Sequence, residues 1–128
     1  MKPVSVAALI ILFACQTQNI SLFDTEWKLK TINGKDYATV NPPATLTFTQ
    51  KESRLSGYTG CNRFFGGFEL ADDNLNVGQL GATKMFCENN MDLESNYLKA
   101  LEQVKRYRIK GNSLQLLNGA TVVLEFTN

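Results

Sequence analysis

Histidine is absent from the 128 residues of this chain, and cysteine is scarce, with three residues in all. The absence of histidine excludes Ser-His-Asp and Cys-His nucleophile systems, histidine-ligated zinc sites and imidazole acid–base catalysis. The formal net charge is only +1, whereas proteins that bind nucleic acid carry a clustered excess of positive charge. We therefore expect no nucleic-acid partner, no metal and no cofactor. The length and a hydrophobic fraction of 44% indicate one globular domain.

Long apolar runs are also missing, apart from one at the N-terminus. Lys2 precedes Val4–Phe13, in which a single residue is polar, and Ala14 and Cys15 follow. A membrane-spanning helix needs about 20 apolar residues, and this run is too short for one. A positive charge, a short apolar run and a small residue before a cysteine are typical of a secretory signal peptide.

The segment Leu12–Cys15 is similar to a bacterial lipobox, in which the signal is removed and the cysteine is acylated. Residues 1–14 are then the signal peptide, residues 15–22 are the lipidated Cys15 and a tether, and residues 23–128 are the domain. Several acyl chains hold a protein firmly on a membrane, because each buried methylene contributes about 0.8 kcal/mol. Gln16 is not the aspartate associated with inner-membrane retention. We therefore expect an exported protein, lipid-anchored in the bacterial cell envelope, with the outer membrane favoured.

Cys61 and Cys87 are the two cysteines left in the domain once Cys15 is assigned to lipid. An oxidising compartment favours a disulfide between them. That bond would close a loop of 27 residues and stabilise the domain by about 3.5 kcal/mol in the chain-entropy model. Two buried free thiols are the alternative. A metal site is less favoured than either, because two thiolates without histidine lack further ligands.

The rest of the chain alternates apolar and polar side chains over short segments, as where Trp27 and Leu29 alternate with lysines. This period of two, interrupted by turn residues, indicates antiparallel strands with one buried face. Residues 91–104 instead repeat apolar side chains at three- and four-residue steps, which predicts one amphipathic helix capped by Asn89 or Asn90. We expect a mainly β fold: a small antiparallel barrel-like meander of about seven or eight strands, with the helix covering an edge or closing one end.

Two short motifs carry a family resemblance. Gly60–Phe68 reads Gly-Cys-Asn-Arg-Phe-Phe-Gly-Gly-Phe, and Thr83–Cys87 has the pattern Thr-basic-Met-x-Cys. Together they resemble the signature of the META domain, the HslJ-like family of bacterial envelope proteins, and the similarity covers nearly all of residues 23–127. The resemblance implies a small antiparallel β-barrel-like fold with one helix. It implies no established reaction, and only a loose association with envelope stress and drug tolerance.

The motif residues are candidates for structural or contact roles. They are Gly60, Asn62, Phe64, Thr83 and Met85. We expect the glycines at bends of a curled sheet and Asn62 bonded to local backbone. Phe86 and the other motif phenylalanines are expected mostly in the core, although Phe64 and Phe65 must point to opposite faces. One of that pair can therefore be exposed and mark a contact surface.

The sequence contains no recognisable catalytic arrangement, since no paired carboxylates and no serine or threonine with a base stand out. We expect a monomeric, non-catalytic envelope lipoprotein that binds an unknown protein or envelope ligand, linked to envelope stress or drug tolerance. The alternative is a periplasmic ligand-binding or hydrolase-inhibitor barrel resembling lysozyme inhibitors, which a ligand-sized cavity would favour. The basic run over residues 105–110 is read as a solvated strand face or, alternatively, a contact for anionic lipid or polymer.

Overall fold

A computed structural model describes residues 2–11 and 20–128 of the chain. Residues 2–11 form no helix or strand, and their side chains are exposed. Cys15, the lipobox cleavage site and most of the predicted tether lie outside the described residues. Within the described ranges, no helix is long and apolar enough to cross a membrane.

Ten strands and one helix make up the described part of the domain. In chain order they are β1 (Trp27–Ile32), β2 (Lys35–Asp36), β3 (Thr45–Thr49), β4 (Arg54–Tyr58), β5 (Arg63–Ala71), β6 (Asn74–Val77), β7 (Gly81–Ala82), α1 (Met91–Glu102), β8 (Arg106–Lys110), β9 (Ser113–Asn118) and β10 (Thr121–Thr127). The strands form one antiparallel sheet in the order β10-β9-β8-β6-β5-β4-β3-β1-β2; the short β7 pairs with β5, and β1 also pairs with β10. The sheet therefore curls into a ring, which confirms the predicted mainly β, barrel-like fold with one helix.

The structure has two more strands than the alternating pattern predicts, and both are very short. Eight strands have four residues or more, as predicted, and the other two, β2 and β7, have two residues each. A two-residue strand shows no period of two, so the pattern cannot reveal it. In β1 the prediction holds residue by residue, because Trp27 and Leu29 are buried while Lys28 and Lys30 are exposed.

The folded domain starts earlier than the sequence indicated. Leu22, which was assigned to the tether, is buried in the core, and its carbonyl accepts a hydrogen bond of 3.1 Å from the Trp27 indole. Phe23 bridges to Phe48 in β3 and stacks on Phe68 in β5, with ring centroids 6.2 Å apart. The chain thus joins the sheet at the end where Phe48 and Phe68 lie, which we name the tether end.

The opposite end of β3–β5 carries the Gly-Cys-Asn motif, because residues 59–62 connect β4 to β5 there. We name it the motif end. The helix closes this end: Tyr97 is fully buried, its hydroxyl donates to the Thr45 carbonyl at 2.8 Å, and its ring meets Phe64 edge-on at 5.3 Å. The predicted helix is therefore confirmed in the closing position.

The boundaries of the helix differ slightly from the prediction. It ends at Glu102 rather than residue 104, because the backbone N–H of Lys105 already bonds the Leu117 carbonyl and draws the chain into the sheet. Asn90 is the N-cap residue, yet its side chain makes no capping hydrogen bond. The amide donates instead to the carbonyl of Gly60 at 2.9 Å. This residue therefore ties the helix start to the motif.

Because Tyr97 is buried, the domain should lose stability at alkaline pH. Removal from water disfavours the phenolate and raises the pKa of Tyr97 well above its ordinary value. Below pH about 10 the side chain is neutral in both states, and above it only the unfolded chain ionises. We expect the free energy of unfolding to fall from pH 9 to 11, and to fall less steeply in Tyr97→Phe. Urea unfolding of both chains at each pH measures this, and equal slopes would contradict it.

Candidate functional site

The two family motifs meet at the side chain of Asn62, which is 1% exposed. Its Nδ2 donates to the Met85 carbonyl and to a Glu94 carboxylate oxygen, both at 2.9 Å. Its Oδ1 accepts the Met85 backbone N–H at 2.7 Å and the Thr83 hydroxyl at 2.8 Å. An amide side chain has two donors and two acceptor sites, and all four are used. Asn62 therefore joins the first motif, the second motif and the helix.

Thr59 supports this arrangement from the first motif's side, and sequence reasoning missed it. Its buried hydroxyl donates to Glu94 at 2.8 Å and accepts the backbone N–H groups of Cys61 and Asn62 at 3.2 and 2.9 Å. Nothing in the local sequence distinguishes this threonine from the others. The role of Glu94 is likewise not visible in the sequence, because its partners, Thr59 and Asn62, lie in a distant segment.

The disulfide predicted between Cys61 and Cys87 is present, with Cα atoms 5.8 Å apart. We name residues 83–90 the motif loop. Thr83 and Met85 attach this loop to Asn62, Cys87 attaches it to Cys61, and Asn90 attaches it to Gly60. The loop has little regular secondary structure, yet its backbone is fixed at four points.

The structure corrects two expectations about the motif residues. Asn62 was expected to bond local backbone, but the four oxygen and nitrogen partners of its side chain lie 21 to 32 residues away in the sequence. Phe86 was expected in the core, but it is 80% exposed. Phe64 is buried as expected, and Gly60 has a positive φ of 96°, a conformation that favours glycine.

Three large apolar side chains are exposed at or near the motif end. Phe86 is 80% exposed and Met85 60%, and Phe65 in β5 is 48% exposed. The bonds to Asn62 and the disulfide hold the loop backbone against the domain, so the side chains of Met85 and Phe86 face solvent. The opposite orientations expected for Phe64 and Phe65 are confirmed.

A groove lies on the outer face of β3–β5, beside the motif loop, with a volume of about 240 Å³. Small hydroxyl side chains line its middle, where Thr47 pairs with Ser56 and Ser56 pairs with Phe65 across the strands. Larger side chains stand at its margins: Phe65 and Arg63 in β5, and Glu26 before β1. The groove therefore combines an aromatic ring, hydroxyl groups and one charge of each sign.

Two arginines of the basic run over residues 105–110 have side-chain partners. Arg106 lies 3.3 Å from the Asp73 carboxylate, and Arg108 donates to the Gln115 side chain at 2.6 and 2.8 Å. The Asp73 carboxylate offsets the charge of Arg106, whereas Gln115 is neutral and leaves the charge of Arg108 in place. In the part of the chain that the structure describes, no group of three or more cysteine, aspartate or glutamate residues is arranged to hold a metal ion.

A curled antiparallel sheet, closed at one end by a helix and by a disulfide-tied motif loop, defines the class of domain. The chain belongs to the META domain family, whose sequence model matches residues 20–128. A protein from Burkholderia xenovorans, solved by NMR, is 31% identical with a TM-score of 0.66, over 99% of this chain and 96% of that one.

Two further solved structures are similar. One NMR structure is 27% identical with a TM-score of 0.62, over 80% of this chain and 86% of the other. A DUF4847 family protein from Bacteroides vulgatus shares the fold alone, at 18% identity and a TM-score of 0.52, over 66% of this chain and 57% of the other. A search of curated proteins finds none that matches.

Proposed function

We propose that this protein is a non-catalytic, lipid-anchored binding module of the bacterial cell envelope, and that its motif end contacts the partner. The observation that carries the proposal is the motif loop, whose backbone is fixed at four points while Met85 and Phe86 remain exposed. The link to envelope stress or drug tolerance rests on the family resemblance alone.

A rigid loop with exposed apolar side chains is suited to binding. Aromatic residues and methionine are enriched in the cores of protein interfaces, and ordering costs are smaller when the binding loop is already fixed. In an isolated domain, the exposed position of Phe86 is unfavourable, because a ring left in water contributes no hydrophobic stabilisation. The loop backbone nevertheless holds the ring in that position. A contact surface explains both features.

The N-terminal segment supports the anchored location. Its apolar side chains between Val4 and Ile11 are exposed rather than packed into the domain, as suits a segment that is removed. The buried Leu22 lies seven positions after Cys15 in the sequence, a span of at most about 25 Å. A lipid on Cys15 would therefore hold the tether end near the membrane, with the motif end directed away from it.

The alternative, a barrel that encloses a ligand, receives less support. The interior is filled by large side chains, among them Trp27, Phe48, Tyr97 and Phe126, all of which are almost completely buried. A ligand would therefore meet the outer surface, as a protein partner would. On the surface formed by residues 20–128, we find no feature that favours a hydrolase over another partner.

Site-specific photocrosslinking in cells tests the proposal. A photoreactive residue at Phe86 of the full chain should capture a partner, whereas the same residue at Lys51, an exposed position in the turn after β3, should not. The captured chain should fractionate with membranes, and Cys15→Ala should move at least about half of it to the soluble fraction, since a lone apolar segment anchors weakly. Equal capture at both positions would refute the contact surface, and unchanged fractionation would refute the lipid anchor.

A further inference from the structure

We propose that the groove on the outer face of β3–β5 binds an acidic sugar unit of a polysaccharide. The inference deepens the proposed binding role and rests on it, because it names the chemistry of a ligand for the surface beside the motif loop. It does not depend on the lipid at Cys15.

The shape of the groove follows from strand register. Thr47, Ser56 and Phe65 lie in one row across β3, β4 and β5, and Thr45, Tyr58 and Arg63 lie in the next row. Three small hydroxyl side chains, those of Thr45, Thr47 and Ser56, leave a trough of about 240 Å³ beside the larger Phe65 side chain. Closed sites for small molecules usually measure about 300–1,000 Å³. The trough is therefore suited to one ring of a longer ligand that continues along the surface.

The Phe65 ring forms one wall of the trough. Phe65 pairs with Gly81 in β7, and a Cβ atom on Gly81 would lie 2.8 Å from the ring. The missing side chain at Gly81 therefore lets the ring lean over β7 and away from Ser56. The face of an aromatic ring is electron-rich and attracts the slightly positive C–H groups that line one face of a sugar ring.

Hydroxyl and charged groups complete the recognition chemistry. The Thr45, Thr47 and Ser56 hydroxyls can each donate and accept, as the hydroxyls of a sugar do. Within the described residues, neither Arg63 nor Glu26 takes part in an ion pair. The Arg63 guanidinium can bind a carboxylate through two parallel hydrogen bonds, which selects an acidic sugar. Glu26 can accept hydrogen bonds from sugar hydroxyls.

Other ligand classes fit the groove less well. A peptide that adds a strand needs a free sheet edge, but the backbone of β4 is paired on both sides, to β3 and β5. Nucleic acid and anionic lipid surfaces need several cations, whereas the trough is lined by one cation, Arg63, and one carboxylate, Glu26. A ligand with a carboxylate and many hydroxyls matches the groups that are present.

Calorimetric titration of the purified full chain tests the inference with two probes, an oligomer of galacturonic acid and a neutral chitin oligomer. We expect the acidic probe to bind about tenfold more tightly than the neutral one, because the charged hydrogen bonds to Arg63 are lost with the latter. Arg63→Gln should remove that difference. Phe65→Ala should lower the affinity for both probes about tenfold, since the aromatic wall is lost.

Two variants serve as controls. Lys110→Gln removes an exposed lysine at the end of β8, which does not pair with β3, β4 or β5, and should leave both affinities unchanged. Phe86→Ala should abolish partner capture but leave sugar binding intact, so that the two proposals fail separately. The inference would be overturned if neither probe bound at millimolar concentration. It would also be overturned if binding survived the double substitution Phe65→Ala and Arg63→Gln.

Discussion

Replacing Asn62 with alanine should lower the free energy of unfolding by about 4 kcal/mol. The change leaves the backbone N–H and carbonyl of Met85 without their partners and removes one donor to Glu94. Each unsatisfied buried group costs about 1–3 kcal/mol, and access of water to the exposed motif loop reduces the total. Denaturant unfolding at 25 °C, compared with the unaltered chain, measures the loss.

Asn62→Asp separates the hydrogen-bonding role from the size of the side chain. Aspartate keeps an oxygen toward the Met85 N–H but places its second oxygen against the Met85 carbonyl and the Glu94 carboxylate. We expect a loss at least as large as that of Asn62→Ala at neutral pH. Asn76→Ala, at an exposed position in β6, should change stability by less than about 0.5 kcal/mol. A loss below about 1 kcal/mol for Asn62→Ala would contradict the structural role of the amide.

Local patterns predicted most of the fold. The alternation of Trp27 and Leu29 with exposed lysines depends only on the two-residue period of a strand. The helix was equally accessible, because Leu93, Tyr97 and Leu101 repeat on one face and are all buried. Opposite-facing neighbours such as Phe64 and Phe65 follow from the same geometry. In each case neighbouring residues in the chain carry all the information that is needed.

The candidate site was less predictable, because its contacts join distant segments. Asn62 finds its partners in the motif loop and in α1, and no local pattern pairs them. The exposure of Phe86 has the same origin, since the disulfide and the bonds to Met85 fix a backbone that directs the ring outward. Leu22 was assigned to the tether because one apolar residue, taken alone, shows no repeating pattern that would mark it as part of the core.

Replacing Cys61 and Cys87 together by alanine should lower the free energy of unfolding by about 3.5 kcal/mol. The bond joins residues 26 positions apart, so its loss enlarges the number of conformations open to the unfolded chain. Denaturant unfolding of the double variant measures the effect. A reductant should destabilise the unaltered chain by a similar amount and leave the double variant unchanged, which controls for cavity formation at the buried Cys61.

The disulfide and Asn62 hold the same motif loop, so their contributions should not be additive. Once the loop has been released by loss of the disulfide, the Met85 backbone can hydrogen-bond with water, and removing Asn62 then costs less. We expect the stability lost in the triple variant to be smaller than the sum of the two separate losses by at least about 1 kcal/mol, as is usual for groups in one network. Additive losses would instead mean that Asn62 alone keeps the loop in place, and that Met85 and Phe86 stay presented after the disulfide is reduced.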